Sequence, residues 1–346
     1  MTAGKSGRII KLLFPVMNWG VKVLRLQRTV VGRFAPSPTG PLHFGTLVAA
    51  LGSYLIARQA GGRWLLRIED LDPPRVVPGA ADAMLRLLEG LGFEWDGEVV
   101  YQSRRSARYR QVLEDLRCEG RVFDCGCSRR EILASAPHPG EEGPVYPGTC
   151  REGLGEYRSA RAVRLRVADE RVRFRDGIFG EQAQDLERQV GDFVLYRADG
   201  VYAYQLAVVV DDIDAGVTQV VRGADLLSST PRQIFLYRCL GEEPPEYYHL
   251  PLVLGTDAEK LSKRHGHGSL VSKENGGDLL WKALVFLGQS PPEILSRADC
   301  AELLAWGCNN FRVAEVRAEN RQMLFSDERP FCKPESSGSF LRTAKR

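Results

Sequence analysis

The sequence has 346 residues, 44% of them hydrophobic, which is enough to bury one sizeable core and, we expect, two units within one chain. Its formal net charge is only +3, so composition alone does not indicate a nucleic-acid partner, and any basic patch must be local. No apolar run reaches the about 18 residues typical of a membrane-spanning helix, so no membrane partner is expected. No secretory signal is recognised either, and we expect a cytoplasmic location with the cysteines as reduced thiols.

Residues 1–30 are interpreted as a basic N-terminal extension. The first 32 residues contain six Lys or Arg and no Asp or Glu. One interpretation is a non-functional leader or a start codon placed too early. The alternative is a basic amphipathic arm that contacts RNA or membrane.

The first predicted elements form a strand–helix–strand unit. A short apolar strand ends near Phe34, a Pro- and Gly-rich loop follows, and apolar residues at helical spacing predict a helix over Thr46–Gln59. Trp64–Ile68 then has the pattern of a second buried strand. Such a unit within about 40 residues indicates a parallel sheet. Amphipathic helices are predicted next over Ala80–Leu91 and Arg105–Arg117.

The middle of the chain has a different composition, and we predict an inserted module over residues 121–191. Gly, Pro and charged residues become more frequent there, and the short strands Ala162–Val167 and Val172–Phe174 have an antiparallel pattern. The segments on either side, 31–120 and 192–290, would then form one domain whose sheet is divided in sequence by the insert.

Beyond the insert, the apolar runs of residues 202–227 predict buried parallel strands. Residues 291–346 are predicted to form a C-terminal helical segment. The tail from Ser326 is rich in Ser, Pro and basic residues, which favours disorder.

The loop that follows the first strand is a candidate ligand site. Residues 35–45 read APSPTGPLHFG and lie between strand and helix, where open α/β sheets bind ligands. Gly45 allows close backbone approach, and the N-terminus of the next helix offers free N–H groups to a phosphate. His43 could donate a hydrogen bond to phosphoryl oxygens. Taken alone, however, this histidine could equally be a surface or capping residue.

A second candidate is KLSKR at residues 260–264. Lys260 and Lys263 lie on either side of Ser262, and such a loop suits a mobile clamp on a triphosphate. Positive charge placed where pyrophosphate leaves stabilises the transition state. The alternative is an ordinary solvated run of charges.

Together the two segments resemble the HIGH and KMSKS signatures of class I aminoacyl-tRNA synthetases. The string RFAPSPTGPLHFG, with RIEDLDPPR at residues 67–75, is similar to the glutamyl branch. The cysteine cluster, AYQLAVVVDD and VVRGADL resemble a short paralogue of glutamyl-tRNA synthetase, over roughly residues 30–290. Thr46 in the last place of the first signature, and Leu261 and Arg264 in the second, depart from the strict consensus but are usual in this branch.

The resemblance implies an α/β fold: a Rossmann-like class I synthetase catalytic domain with an inserted, zinc-containing α+β module that binds the acceptor stem of tRNA. It implies that ATP with Mg²⁺ activates L-glutamate without tRNA. The resemblance further implies that glutamate would then be transferred to the queuosine base at the first anticodon position of tRNA(Asp). His43 and Lys263 would be catalytic, and the implied ATP-binding residues are His43, Gly45, Lys260, Ser262 and Lys263.

The resemblance also implies a glutamate site whose residue types suit the substrate. Arg33 and Arg222 can each bind a carboxylate with paired N–H groups, and Glu69 can accept the ammonium. Tyr204 would form a wall, and the backbone of residues 33–37 the floor. The alternatives are ordinary salt bridges, in particular between Glu69 and Arg67 or Arg75. The implied set is Arg33, Phe34, Ala35, Pro36, Ser37, Glu69, Tyr204 and Arg222.

Three of the eight cysteines, Cys125, Cys127 and Cys150, form a group that predicts a metal site. Tetrahedral zinc requires four ligands, so three thiolates leave one place, for which His138 is the generic candidate. The resemblance instead implies Tyr146, in the pattern C-x-C…Y-x-x-x-C. One structural zinc per chain is expected, and the alternative is three unligated thiols.

Three alternative functions agree less well with these residues. A true glutamyl-tRNA synthetase that charges a 3′ end is the nearest, but only 82 residues follow Arg264, which is short for that family's additional domains. A zinc-bearing RNA-binding protein without catalysis would not need the pairs His43–Lys263 and Arg33–Glu69. A small-molecule adenylyltransferase would not need the cysteines or the glutamate-binding residues.

Overall fold

The structure is a computed structural model that describes residues 29–135, 139–140, 143–156, 158–255 and 271–322. Its helices are α1 (Phe44–Gln59), α2 (Ala80–Gly90), α3 (Ser106–Cys118), α4 (Arg129–Ser135), α5 (Leu186–Gln189), α6 (Tyr204–Asp214), α7 (Thr230–Cys239), α8 (Gly276–Phe286) and α9 (Cys300–Asn310). Its strands are β1 (Val31–Phe34), β2 (Arg63–Ile68), β3 (Val100–Tyr101), β4 (Val122–Cys125), β5 (Pro139–Gly140), β6 (Gly143–Pro144), β7 (Ala162–Leu165), β8 (Arg171–Asp176), β9 (Gly180–Asp185), β10 (Val194–Tyr196), β11 (Gln219–Gly223), β12 (Glu246–Leu250), β13 (Val253–Leu254) and β14 (Arg321–Gln322).

A parallel sheet organises the fold. Strands β1, β2 and β3 pair in parallel, as do β11 and β12. The two groups meet where the amide of Thr218 donates to the carbonyl of Val31 at 3.0 Å. The resulting strand order is β3-β2-β1-β11-β12. Successive strands of the chain are added on one side of β1 for β2 and β3, and on its other side for β11 and β12. Open α/β sheets bind their ligands at such a switch point, beyond the carboxyl ends of the strands.

Two hydrophobic cores cover the two faces of this sheet. Neighbouring residues on one strand point to opposite faces, and Val220 belongs to one core while Val221 belongs to the other. One core packs α1, α2, α8 and α9 against the sheet, and the other packs α3, α6 and α7. The sheet is therefore covered by helices on both sides. Helix α1 is enclosed between the sheet and helices α8 and α9, which explains why it is apolar around most of its circumference.

The predictions for the first part of the chain are confirmed. The predicted strand ending near Phe34, the helix over 46–59 and the strand over 64–68 correspond to β1, α1 and β2, which form a parallel βαβ unit. The helices predicted at 80–91 and 105–117 are α2 and α3 within one or two residues. Among the described residues, none of the helices combines the length and apolarity needed to cross a membrane.

The strand prediction for residues 202–227 was wrong in its first half. Residues Tyr204–Asp214 form α6, and only Gln219–Gly223 forms a strand, β11. A continuous apolar run does not distinguish a buried helix from a buried strand. Here the whole apolar stretch is buried as a helix, which ends at Ala215 and Gly216, the latter with φ of 64°.

Residues 121–191 contain a small antiparallel sheet and a hairpin. Strand β7 pairs with β4 and with β10, which lies just beyond this segment, and β8 pairs with β9. All these pairs are antiparallel, as predicted for the strands at residues 162–167 and 172–174. Strand β8 also joins the parallel sheet, because Asp176 pairs in register with Tyr247 of β12. The hairpin β8–β9 thus extends the sheet that carries the ligand-binding edge.

Candidate active site

A cavity of about 500 Å³ lies at the carboxyl ends of β1, β2, β11 and β12. It is at the switch point between β1 and β11, where the topology predicts ligand binding. All the described residues that the sequence assigned to glutamate and ATP contribute to its lining: Arg33, Phe34, Ala35, Pro36, Ser37, His43, Gly45, Glu69, Tyr204 and Arg222.

His43 caps the N-terminus of α1 at the edge of this cavity. Its Nδ1 accepts a hydrogen bond from the amide of Thr46 at 3.4 Å, and its Nε2 lies 3.1 Å from the Thr46 hydroxyl. The capping role considered from sequence is therefore real, and it places the ring beside the first amides of α1. A Cβ at Gly45 would lie 3.3 Å from the His43 ring, so glycine leaves room for the ring in this position.

Arg33 and Arg67 share one buried carboxylate. Nε of Arg33 lies 3.3 Å from Oδ1 of Asp212, and Nη1 of Arg67 lies 2.5 Å from the same oxygen. Burial opposes ionisation of Asp212, but the two guanidinium groups outweigh this effect and lower the pKa of its carboxyl group. The cluster holds Arg33 by its Nε, so its two Nη groups can serve a substrate carboxylate.

Glu69 forms the acidic part of the cavity. Its Oε1 lies 3.3 Å from Nη2 of Arg67, so the salt bridge considered as an alternative does exist. Glu69 nevertheless lines the cavity, and an ionised carboxylate can accept hydrogen bonds from a cationic group. Burial raises the pKa of Glu69, and the opposing influence of Arg67 and Arg33 does not cancel the shift.

Hydrogen bonds to several groups fix the guanidinium of Arg222. Its Nε donates to Nε2 of His249 at 3.1 Å, and its Nη2 donates to the hydroxyl of Thr230 at 2.8 Å. Its Nη1 lies 3.4 Å from the phenol oxygen of Tyr204, which also lines the cavity. Burial raises the pKa of Tyr204, so this phenol keeps a proton that it can donate to a substrate carboxylate.

Sequence reasoning missed the groups that orient these side chains. The most buried of them are Asp211 and Asp212 on α6, and His249 with Asp176 on neighbouring strands. A signal was available: two consecutive aspartates in an apolar helix must find partners if they are buried. Oδ2 of Asp211 accepts a hydrogen bond from the hydroxyl of Tyr109 at 2.9 Å and another from Nε2 of Gln102 at 2.8 Å.

Cys125, Cys127 and Cys150 converge in a second cluster, with their sulfur atoms within 4.8 Å of one another. The phenol oxygen of Tyr146 lies 3.4 Å from Sγ of Cys125 and 3.8 Å from Sγ of Cys127. This oxygen also accepts a hydrogen bond from the amide of Cys150 at 2.9 Å. The structure thus brings together all four ligands implied by the resemblance.

Four predicted residues, Lys260, Ser262, Lys263 and His138, lie outside the part of the chain that the structure describes. Their assignments therefore remain predictions from the sequence.

Comparison with known proteins agrees with this geometry. Residues 29–300 match the family model of the catalytic domain of class I tRNA synthetases (E and Q). A crystal structure of a glutamate tRNA ligase from Elizabethkingia meningosepticum, in complex with its amino acid, superposes with a TM-score of 0.69 at 26% identity. The match covers 86% of this chain and 67% of that one. The fold and the site thus define a class I tRNA synthetase of the glutamyl and glutaminyl branch.

More similar sequences narrow the assignment. The chain is 55% identical over 296 residues to a glutamyl-Q tRNA(Asp) synthetase of Geobacter sulfurreducens, covering 84% of this chain and 94% of that protein. It is 54% identical over 298 residues to a protein of the same name from Chromobacterium violaceum, covering 85% and 98% respectively. The chain therefore belongs to the glutamyl-Q tRNA(Asp) synthetase family.

Proposed function

We propose that this protein activates L-glutamate with ATP in the absence of tRNA and transfers it to the queuosine base at the first anticodon position of tRNA(Asp). The observation that carries the proposal is that one cavity is lined by all eight predicted glutamate-binding residues together with His43 and Gly45. The relatives from Geobacter sulfurreducens and Chromobacterium violaceum are both named glutamyl-Q tRNA(Asp) synthetase, which supports queuosine in tRNA(Asp) as the acceptor.

The charges in the cavity suit glutamate, which has two carboxylates and one ammonium. Arg33 and Arg222 lie on different strands and provide one cationic group for each carboxylate. Glu69, at the end of β2, provides the anionic group for the ammonium.

ATP would bind beside the N-terminus of α1. His43 and the first amides of that helix can donate to phosphate oxygens, and Gly45 lets them approach. Lys260, Ser262 and Lys263 are proposed to contact the phosphates from the second signature. Mg²⁺ bound to the triphosphate would supply charge neutralisation.

In the first step the α-carboxylate oxygen of glutamate attacks the α-phosphorus of ATP, and the bond to pyrophosphate breaks. His43 and Lys263 stabilise the negative charge that accumulates on the phosphate oxygens. In the second step a hydroxyl of the queuosine cyclopentenediol attacks the adenylate carbonyl. Its proton is lost, the bond between carbonyl carbon and phosphate oxygen breaks, and AMP leaves with a glutamyl ester formed.

We further propose one structural zinc held by Cys125, Cys127, Tyr146 and Cys150. Zinc–sulfur bonds of about 2.3 Å in a tetrahedron separate neighbouring ligand atoms by roughly 3.8 Å. The distance between Sγ of Cys127 and Sγ of Cys150 is 3.5 Å, and the phenol oxygen lies at comparable distances, so the four groups fit. Four protein ligands leave no place for a catalytic water.

Two arginine side chains lie beside this cluster. Nη1 of Arg158 lies 3.5 Å from Sγ of Cys127, and the guanidinium of Arg164 lies 3.9 Å from the ring centre of Tyr146. Burial opposes ionisation of Cys125, but hydrogen bonds from Tyr146 and Arg164 outweigh it and lower the pKa of this thiol. Burial raises the pKa of Cys127 and of Tyr146, so zinc itself would have to displace the protons of those two groups.

We propose that the zinc organises an inserted RNA-binding module at 121–191, within a catalytic domain formed by 31–120 and 192–290. Residues 1–30 are proposed as a basic N-terminal extension and residues 291–346 as a C-terminal helical segment, whose helix α9 packs in the same core as α1.

The function is tested in two stages. Glutamate-dependent exchange of pyrophosphate with ATP should occur without tRNA; exchange that appears only on adding tRNA would favour an ordinary glutamyl-tRNA synthetase. Labelled glutamate should then be incorporated into queuosine-containing tRNA(Asp) but not into the queuosine-free form. After nuclease digestion at acidic pH the label should be on the anticodon fragment and should be released by alkali. Label on the 3′ fragment would contradict the proposal.

A further inference from the structure

Behind Arg222 lies a buried chain of hydrogen bonds that reaches the hairpin β8–β9. Nε2 of His249, on β12, accepts from Nε of Arg222 at 3.1 Å, and Nδ1 of His249 lies 2.6 Å from Oδ2 of Asp176. The side chains of His249 and Asp176 are fully buried, each 0% exposed, and Arg222 is 5% exposed. None of these bonds is exposed to solvent, so each should hold its partner strongly.

The partners on each side fix the protonation of His249. An ionised aspartate can only accept hydrogen bonds, so Nδ1 must carry a proton towards Asp176. A guanidinium can only donate, so Nε2 must present its lone pair to Arg222. The hydroxyl of Thr230 lies 3.2 Å from the same Nε2 and also receives Nη2 of Arg222. A neutral imidazole with its proton on Nδ1 satisfies all of these contacts.

Asp176 has a second set of bonds that fixes its own position. Its Oδ1 accepts from the amides of Ile178 and Phe179 at 2.9 and 2.8 Å, which closes the turn between β8 and β9. The amide of Gly177 donates to the carbonyl of Tyr247 at 2.8 Å, which attaches this turn to β12. The amide of His249 also donates to this carboxylate, at 3.2 Å from Oδ2. Backbone amides therefore anchor the carboxylate independently of the His249 ring, and it can serve as a fixed point for that ring.

The consequence concerns the direction in which Arg222 points. Nε and Nη2 are used by His249 and Thr230 at the back, which leaves Nη1 beside Tyr204 at the cavity. We infer that Asp176 and His249 are positioning residues that aim Nη1 of Arg222 at a carboxylate of the amino-acid substrate and so couple the hairpin β8–β9 to substrate recognition. This inference rests on the proposed function, since the substrate is taken to be glutamate.

The decisive variant is Asp176→Asn. The side-chain amide keeps the size and one acceptor for the turn, but an N–H in place of Oδ2 forces the proton of His249 onto Nε2, where it faces the donors of Arg222. The KM for glutamate in pyrophosphate exchange should rise by about tenfold or more, as for loss of one hydrogen bond to a charged group. The KM for ATP should change by less than about twofold, because the phosphates are proposed to bind at the N-terminus of α1 and not at Arg222.

A matched control and a second variant separate positioning from folding. Glu181→Gln removes a carboxylate from the same hairpin, but one that is 78% exposed, and should leave both KM values unchanged. His249→Gln offers one acceptor and one donor and should retain more affinity for glutamate than His249→Leu. If Asp176→Asn does not fold, the comparison of His249→Gln with His249→Leu carries the test.

A double variant tests whether Asp176 acts through Arg222. In a protein that already carries Arg222→Lys, adding Asp176→Asn should raise the KM for glutamate little further, because the effect of Asp176 acts through Arg222.

The outcomes distinguish the two proposals. A wild-type protein without glutamate-dependent exchange overturns the proposed function and this inference with it. Active wild type with an unchanged glutamate KM in a folded Asp176→Asn variant overturns the inference alone. Equal rises in the KM values for glutamate and ATP would indicate a merely structural role and would also overturn it.

Discussion

Nε of Arg33 lies 3.3 Å from Oδ1 of Asp212, and both side chains are only 4% exposed. The two residues are 179 positions apart, on β1 and α6. Asp212 thereby determines the direction of the guanidinium that is proposed to bind substrate. Helix α6 contributes to the active site mainly through this carboxylate and through Tyr204 at its first turn.

The first prediction concerns this carboxylate. Asp212→Asn leaves Arg33 and Arg67 without their shared anion, and breaking a buried charge cluster on one side typically costs about 3–5 kcal/mol. We expect the free energy of unfolding, measured by chemical denaturation, to fall by that amount. Asp214→Asn on the same helix is the control. It pairs with Arg105 and, at 2.9 Å, with Arg108, but all three side chains are partly exposed, so a loss of only about 0–1 kcal/mol for each pair is expected. Equal losses would contradict the importance of the buried cluster.

Much of the βαβ unit could be predicted because its signals are local. The apolar spacing of α1 and the glycines after it are visible within some 40 residues of sequence. The position of the ligand site also followed from topology, since a loop between β1 and α1 must lie at the carboxyl edge of the sheet. The assignment of α6 as strand failed because its apolar run Leu206–Val210 is buried on all sides, so no alternation of polar and apolar residues reveals the helical period there.

The partners of the orienting groups could not be predicted, for a different reason. Asp212 reaches β1 and β2, and Asp176 reaches β12, only after the sheet has formed, so no spacing in the sequence reveals the pairs. The roles of Arg33, Glu69, Tyr204 and Arg222 came from the resemblance. Residue type alone left salt bridges open, and Glu69 does form one while lining the cavity.

The second prediction is a pH dependence set by Glu69. The substrate ammonium requires the ionised carboxylate, and burial holds the pKa of Glu69 above the usual 4.5. A raised pKa means that protonation begins at a higher pH, so kcat/KM for glutamate should fall on acidification before an ordinary carboxylate would titrate. Pyrophosphate exchange measured from neutral pH into the acid range tests this. Glu69→Gln should have low activity and should lack this acid limb; an unchanged limb would assign it to another group.

The third prediction concerns Lys263, a residue assigned from the sequence motif alone. Lys263→Ala should lower adenylate formation by about 10²–10³-fold, the size typical of removing one preorganised charge from a transition state. Glutamate binding should change little, because the lysine is proposed to face phosphates. Lys282→Ala removes a lysine that pairs with Asp278 on α8 and serves as the control. A normal exchange rate in Lys263→Ala would refute the role of the KLSKR segment.

The last prediction concerns the metal. We expect one zinc per chain, and Cys127→Ser should lose it because three ligands remain where four are needed. Hydrogen exchange should then increase in the described residues around Cys125 and Cys150. Adenylate formation should survive in part, since the glutamate cavity is lined by other residues. Transfer to tRNA should suffer more.

The unusual ligand can be tested separately from the thiols. Tyr146→Phe removes only the phenol oxygen, which lies 3.4 Å from Sγ of Cys125, and preserves the ring beside Arg164 and Phe123. Zinc should therefore be lost to a chelator faster than from the wild type, whereas His138→Ala should retain it normally. Metal release from His138→Ala with retention in Tyr146→Phe would reverse the assignment of the fourth ligand. If elemental analysis finds no zinc in the intact protein, the cluster is instead three reduced thiols beside a phenol, and its role in RNA transfer has no metal to support it.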